Sequence, residues 1–259
     1  MPQVDDLTRG SGRLYFDQFI NGTTTKQGRR YLGHTPSFSN SVESETLEHI
    51  NKDNGVGETD KTATLSTSRS GGFVTDNISP ENVAMFFLGS AATFTQSNTP
   101  VVDEAITVKQ GLYYQLGENV GDGMGVRNVA SVVVQDVTDT TTYVDGTDYV
   151  LDAVMGTLYI MTTAEGGSIA DDDVLHVDYT PATETRDLIL SGADSVKGAL
   201  FFESTNPDGP KRDYLYPSVE LSPDGDYELK SDEWQQIGFS VAINKLNTTT
   251  EAIIGQGRA

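Results

Sequence analysis

The chain has 259 residues and 27.9 kDa, enough for one large domain or two smaller ones, and its 36% apolar share with Tyr 11 and Phe 10 still permits a folded core. Its 38 acidic residues against 17 basic ones give a net charge of −21, which argues against binding built on phosphate neutralisation. The absence of cysteine excludes disulfides, thiolate metal sites and cysteine nucleophiles together.

The start, Met1-Pro2-Gln3-Val4-Asp5-Asp6, lacks the basic and apolar regions of a secretory signal, and no apolar run approaches the roughly 18 residues of a membrane span, so a soluble protein is expected. Residues 37–48 and 62–74 alternate like strands, yet small polar residues stand where bulk is expected. Ser37, Ser39 and Ser41 do so on the first, and Thr62, Thr64, Ser66 and Ser68 on the second. Two such strands make little core alone. Between them Asn51-Lys52-Asp53-Asn54-Gly55-Val56-Gly57-Glu58-Thr59-Asp60 reads as a polar loop too long for a tight hairpin and mobile in a free monomer. Ser79-Pro80-Glu81 then offers a cap, a first-turn proline and a dipole-matched acid ahead of the apolar Asn82-Val83-Ala84-Met85-Phe86-Phe87-Leu88, which Gly89 can close. This predicts a short helix, apolar on almost every side, that must be covered by a sheet or a neighbouring subunit.

From about residue 97 to 185 the texture changes to short β-rich runs at 129–137, 149–152, 157–161 and 174–179, separated by Asp145-Gly146, Met155-Gly156 and Glu165-Gly166-Gly167. Turns at that spacing predict a small sandwich. The flanking segments each look incomplete as a sheet, so the expected organisation is a discontinuous host domain, 1–96 with 186–259, carrying 97–185 as an insertion. The insertion holds 15 acidic and 2 basic residues, net −13, and the host the remaining −8. Further on, 198–204 and 212–221 flank the reversal Asn206-Pro207-Asp208-Gly209-Pro210, and Ser222-Pro223-Asp224-Gly225 marks another turn. In 235–243, Ile237, Phe239, Val241 and Ile243 alternate with Gln236, Gly238, Ser240 and Ala242, the clearest strand in the chain.

Chemistry is hard to find. No nucleophile elbow, His-Glu-x-x-His pair or Walker loop occurs, and Gly121-Asp122-Gly123-Met124-Gly125 has the wrong spacing for a phosphate loop and precedes strands. His34, His49 and His176 are scattered, and His176, on the same strand face as Asp178, reads as solvent-facing. Asp171-Asp172-Asp173 and the stretch around Asp53 lack the ligand periodicity of a calcium loop, and Glu43 with Glu45 reads as a wet strand face rather than a glycosidase pair. Acceptor patterns for glycosylation at Asn21, Asn77 and Asn247 read as chance without a signal. The expectation is a protein that is not an enzyme, with no catalytic residue, cofactor or metal.

Four stretches in order carry a resemblance: Tyr31-Leu32-Gly33-His34-Thr35-Pro36-Ser37-Phe38, Val42-Glu43-Ser44-Glu45-Thr46-Leu47-Glu48-His49, Thr75-Asp76-Asn77-Ile78-Ser79-Pro80-Glu81-Asn82 with the helix after it, and Asp226-Tyr227-Glu228-Leu229-Lys230 through Asp232-Glu233-Trp234-Gln235-Gln236-Ile237. Over roughly 10–95 and 186–245 the chain resembles the major tail tube proteins of long-tailed bacteriophages, and 97–185 resembles the immunoglobulin-like domains that some of them carry. The resemblance implies a mainly β tail-tube fold of two packed antiparallel sheets, a sandwich or open barrel, with one flanking short helix and an inserted small Ig-like β-sandwich. It implies homohexameric rings stacked into a tube that conducts double-stranded DNA without stable binding. Tape-measure, tail-terminator and baseplate or tail-tip proteins are the further implied partners, with no membrane and no cofactor. The place implied is the virion tail, and the host cytoplasm during assembly.

On that reading the candidate lumen-facing residues are Ser39, Ser41, Glu43 and Glu45 on one strand and Thr62, Thr64, Ser66 and Ser68 on the other, an assignment that a one-residue slip would reverse. The loop reaching the next ring is Asn51, Lys52, Asp53, Asn54, Gly55, Val56, Gly57, Glu58, Thr59 and Asp60. The helix residues Val83, Met85, Phe86, Phe87 and Leu88 cover the sheet or seal a subunit joint. The competing reading is a secreted or surface-displayed β-sandwich adhesin or glycan-binding module.

Overall fold

A computed structural model describes residues 7–53, 55–119 and 122–258; Met1 to Asp6, Asn54, Val120, Gly121 and Ala259 lie outside the described residues. The chain divides into two compact units, the first formed by the chain up to Ala92 and from Leu188 onward, the second by Thr93–Asp187. The first begins with β1 (Gly12–Gln18), β2 (Arg30–Tyr31), β3 (Ser37–Asn51), β4 (Glu58–Thr75) and helix α1 (Pro80–Phe86). Then β5 (Ser90–Gln96) leads to β6 (Val101–Thr107), β7 (Tyr113–Gln115), β8 (Val129–Asp136), β9 (Tyr149–Asp152), β10 (Thr157–Ile160) and β11 (Val174–Pro181). The chain returns through β12 (Glu184–Leu190), which pairs with β5, and closes with β13 (Val196–Ser204), β14 (Arg212–Asp224), β15 (Ile237–Asn244) and β16 (Ile254–Gly257). The protein is mainly β, with antiparallel sheets and one short α-helix. Among the described residues no helix is long and apolar enough to cross a membrane.

In the first unit the strands join into a single sheet in the order β2-β1-β13-β14-β15-β4-β3, with β16 added beside β14. It curls: Phe38 at the start of β3 packs 5.8 Å from Phe202 of β13 and 5.7 Å from Tyr216 of β14, although β4 and β15 separate β3 from β14 in the ladder. The sheet therefore wraps one core in the manner of an open barrel, with Leu14, Phe16, Leu200, Tyr216 and Phe239 inside. The expected alternation of 235–243 is present in β15, where Ile237, Phe239, Val241 and Ile243 are buried. β14 runs on through Ser222 and Pro223, which the sequence assigns to a turn. β13 stops at Val196 opposite Leu221, so Pro223 has a strand neighbour on one side only, where its missing N–H costs no ladder bond.

Helix α1 starts as its sequence dictates, with Pro80 in the first turn and the Ser79 hydroxyl accepting from the Asn82 N–H at 3.3 Å. It ends differently. Leu88, not Gly89, takes the left-handed conformation (φ 52), and the N–H groups of Leu88 and Gly89 return to the carbonyls of Met85 and Ala84. Gly89 is required for space: a Cβ there would lie 1.7 Å from the Leu190 carbonyl oxygen. Val83 and Met85 enter the core, and Phe86 sets its edge against Phe239 and Tyr227.

The second unit packs two three-stranded sheets, β7-β10-β9 and β6-β11-β8, around Leu116, Val134, Leu158, Ile160, Leu175 and Val177, a small sandwich. Expected runs at 129–137, 149–152, 157–161 and 174–179 correspond to β8 to β11. Turns are pinned by carboxylates. Asp136 accepts from the N–H groups of Thr140 and Thr141 and from the Thr138 and Thr140 hydroxyls, which holds its pKa down at about 2. Asp171 and Asp173 accept the N–H groups of Gln110 and Ala170, so the aspartate triplet is turn structure.

Candidate assembly site

The most unusual feature is the β3–β4 hairpin. β15 supports β4 only from Ser70 to Thr75, whereas β3 and β4 stay paired out to Asn51 and Glu58. From Val42 to Asn51, at about 3.3 Å per residue, a two-stranded arm extends roughly 30 Å past the sheet. Every described residue from Ser39 to Ser68 is exposed. The arm carries Val42, Leu47, Ile50 and Leu65, each more than half exposed. A two-stranded ribbon with no covered face is at best marginally stable in water, so this arm draws little stability from the rest of the chain.

The expected long loop is shorter than the sequence suggests. Asn51 pairs with Glu58 and Ile50 with Thr59, so Asn51, Glu58, Thr59 and Asp60 belong to the strands, and the connection is 52–57. The Asn51 side chain accepts the Asp53 N–H and Gly55 donates to the Lys52 carbonyl, which turns the chain early and lets polar residues continue the ladder. Asn54 lies outside the described residues. His49 contacts Asp60 at 2.5 Å.

Register decides the faces. Ser39, Ser41, Glu43 and Glu45 stand opposite Gly72, Ser70, Ser68 and Ser66, and directly opposed residues share a face. The Ser66 hydroxyl donates to Glu45 at 3.1 Å, in keeping with this. The partner face begins with Phe38 and with Asn40, which donates to the Tyr216 hydroxyl, so it is the core side. Six of the eight candidates therefore share the face pointing away from the core. Thr64 and Thr62 do not: between Ser66 and Thr64 the ladder skips Leu65, and the bulge places Thr64 opposite Thr46 and Thr62 opposite Glu48, on the other face. A second irregularity skips Asp60.

The outward face continues beyond the arm. Across β3, β4, β15 and β14 run the rows Ser39, Gly72, Ser240, Ser222 and Ser41, Ser70, Ala242, Glu220. Four adjacent strands thus present small or polar residues. The sequence shows Gly238, Ser240 and Ala242 as the alternate positions of a strand, but only the pairing makes them one wall with β3.

Three of the four stretches that carry the resemblance meet at the end of the sheet away from the arm, where Thr75 stands opposite Ile237, whereas 42–49 lies on the arm itself. Asn82, fully buried at the start of α1, donates to the Leu32 and Asn77 carbonyls (3.0 and 2.8 Å) and accepts from Arg30 at 2.9 Å. Burial pushes the Arg30 pKa down, and Glu81 opposes that. Thr75 donates to the Leu32 and His34 carbonyls, and His34 meets Asp76 at 2.6 Å. Of the helix candidates, Val83 and Met85 are buried, Phe86 and Leu88 are half-buried, and Phe87 is exposed beside Tyr227. The segment between β14 and β15 that starts at Tyr227 leaves Leu229 75% and Trp234 92% exposed. Sequence reasoning placed Trp234 in a family-like stretch without a role, although a lone tryptophan among acids was a usable signal.

Among the described residues, donors suited to a metal converge only at Asp103, Asp139 and His176 in the second unit, within 4.8 Å of one another. His176 lies 2.8 Å from Asp139 and is largely covered, while Asp178 accepts the Asp103 N–H, so the expected solvent-facing imidazole is instead hydrogen-bonded to a neighbouring turn. Residues 7–256 match the family described as Protein of unknown function UCP028589. The chain belongs to that family. No curated protein matches it.

Proposed function

We propose that this family member is the structural subunit of a phage tail tube: six copies close into a ring, rings stack, and double-stranded DNA passes through the channel. The observation that carries the reading is the β3–β4 arm, exposed on both faces and continuous with a four-strand wall of small polar residues. Closure of such walls into a shared barrel removes the free edge of β3 and gives the arm neighbours to lie against. A wall of Ser, Gly and Ala with Glu43, Glu45 and Glu220 leaves DNA phosphates without cations to bind, which suits passage rather than capture.

A second reading has support in the second unit. Tyr113 and Tyr159 pack at 4.8 Å with Tyr113 74% exposed, and the Tyr159 hydroxyl donates to Glu165. Aromatic platforms beside a carboxylate suit sugar stacking, as an adhesin would require.

Negative-stain microscopy of the concentrated protein tests the first reading. Hollow tubes or six-fold rings are expected, and replacing residues 42–69 by a short turn is expected to leave a folded protein that forms no tubes. A strictly monomeric wild-type particle that is retained on glycan beads would refute the tube and favour the adhesin.

A further inference from the structure

We infer that the segment bearing Leu229 and Trp234 is the surface on which the arm of a second copy docks when rings stack. The inference rests on the tube reading and adds to it the receiving end.

The argument starts from strand polarity. β4 leaves the sheet at Ser70 toward the arm tip, and at its other end Thr75 stands opposite Ile237, the first residue of β15. The 225–236 connection, which carries Leu229 and Trp234, joins Asp224 to Ile237 and therefore sits at the end of the sheet opposite the arm. Copies that stack head to tail must bring the arm end of one against the non-arm end of the next, because a heterologous contact joins two different surfaces.

The two surfaces match in character. The connection offers an aromatic and apolar set: Trp234, Leu229 and, against Tyr227, the exposed Phe87. The arm offers Leu47, Ile50 and Val56 near its tip. Both surfaces are net acidic, so charge offers local pairing rather than overall attraction. Among the described residues, Lys52 and Lys61 of the arm form no ion pair, and neither do Asp226, Glu228, Asp232 and Glu233 of the connection. Lysine can also sit over an indole face, adding a cation–π contact to the pairing. Large exposed aromatics are the side chains that most often anchor an interface once buried.

Trp234 is the only tryptophan, so it reports its own burial. The test follows its emission and its quenching by acrylamide in the full-length protein, before and after assembly, with microscopy of the same samples. Tube formation is expected to move the emission to shorter wavelength and lower the quenching constant several-fold, while free rings resemble the monomer. Trp234→Ser is expected to yield six-fold rings that do not stack; the side chain is exposed, so folding should be unaffected, as checked by circular dichroism. Tubes in which Trp234 stays as quenchable as in the monomer, or tubes of wild-type length from Trp234→Ser, would overturn the inference and leave the tube reading standing. Absence of both rings and tubes in the wild type would overturn the tube reading and the docking surface with it.

Discussion

Replacing Asn82 with alanine should destabilise the first unit more than any exposed substitution. The amide is fully buried and makes three hydrogen bonds, to the Leu32 and Asn77 carbonyls and from Arg30. The Leu32 carbonyl still receives the Thr75 hydroxyl and the Asn77 amide after the change, so little of the cost falls there. The Asn77 carbonyl loses a donor, worth about 1 kcal/mol, and the Arg30 guanidinium loses a charge-assisted partner in a site where it is already desolvated, worth about 2 kcal/mol. A total of about 3 kcal/mol corresponds to roughly 6–12 °C in the transition of a unit of this size. Differential scanning calorimetry is the assay of choice, because Trp234 is exposed when folded and would report unfolding weakly. A shift equivalent to about 0.5 kcal/mol or less, the range of ordinary surface changes, would show that the network around Asn82 does not hold the helix to the segments around Leu32 and Asn77.

Two further outcomes follow from register and titration. The chain lacks cysteine, so Thr46→Cys with Thr64→Cys reads the bulge directly: a disulfide is expected on mild oxidation, whereas preferential linkage of Thr46→Cys to Leu65→Cys would mean an unbroken ladder and restore Thr62 and Thr64 to the candidate face. Asp136, depressed from 3.8 to about 2 by the threonine N–H and hydroxyl donors, contributes stability present above the ordinary carboxylate pKa and lost as pH falls through its folded value. Asp136→Ala should therefore lower the melting temperature of the second unit at neutral pH, with the gap to wild type closing between about pH 4 and pH 2; a gap undiminished at pH 2 would refute the assignment.

What could be read from the sequence was whatever had a hydrophobic reference. In β15 four buried residues at every second position fix both the strand and its faces. Ser79, Pro80 and Glu81 likewise fix the start of α1, because each satisfies a specific need of a helix N-terminus. The arm has no such reference. With polar residues on both faces, nothing in the alternation marks the extra residue at Leu65, and a bulge inverts all that follows. The loop was overestimated for the same reason: Glu58, Thr59 and Asp60 look like turn residues, and only cross-strand pairing shows that they are not. At Asn82 the polar side chain was counted into an apolar helix, and much of its value lies in partners some 50 residues away in sequence, the Leu32 carbonyl and the Arg30 guanidinium.

Charge gains a sharper meaning once the faces are known. Of the −21, the inserted segment accounts for −13, so the net value says little about any channel wall. The four-strand face bears on it directly. Its rows are serine, glycine and alanine, relieved by Glu43, Glu45, Glu220 and Asp224, while Arg69 falls on the opposite face of β4 and Lys197, on the same face one strand further along, is paired with Glu220 at 3.8 Å. An unpaired basic residue here would create a phosphate site and hold DNA by counterion release; a large apolar one would invite association of free subunits through the wrong face. Small hydroxyl side chains avoid both outcomes. The composition that makes β3 and β4 poor at building a monomer core is thus the composition that the proposed conduit needs.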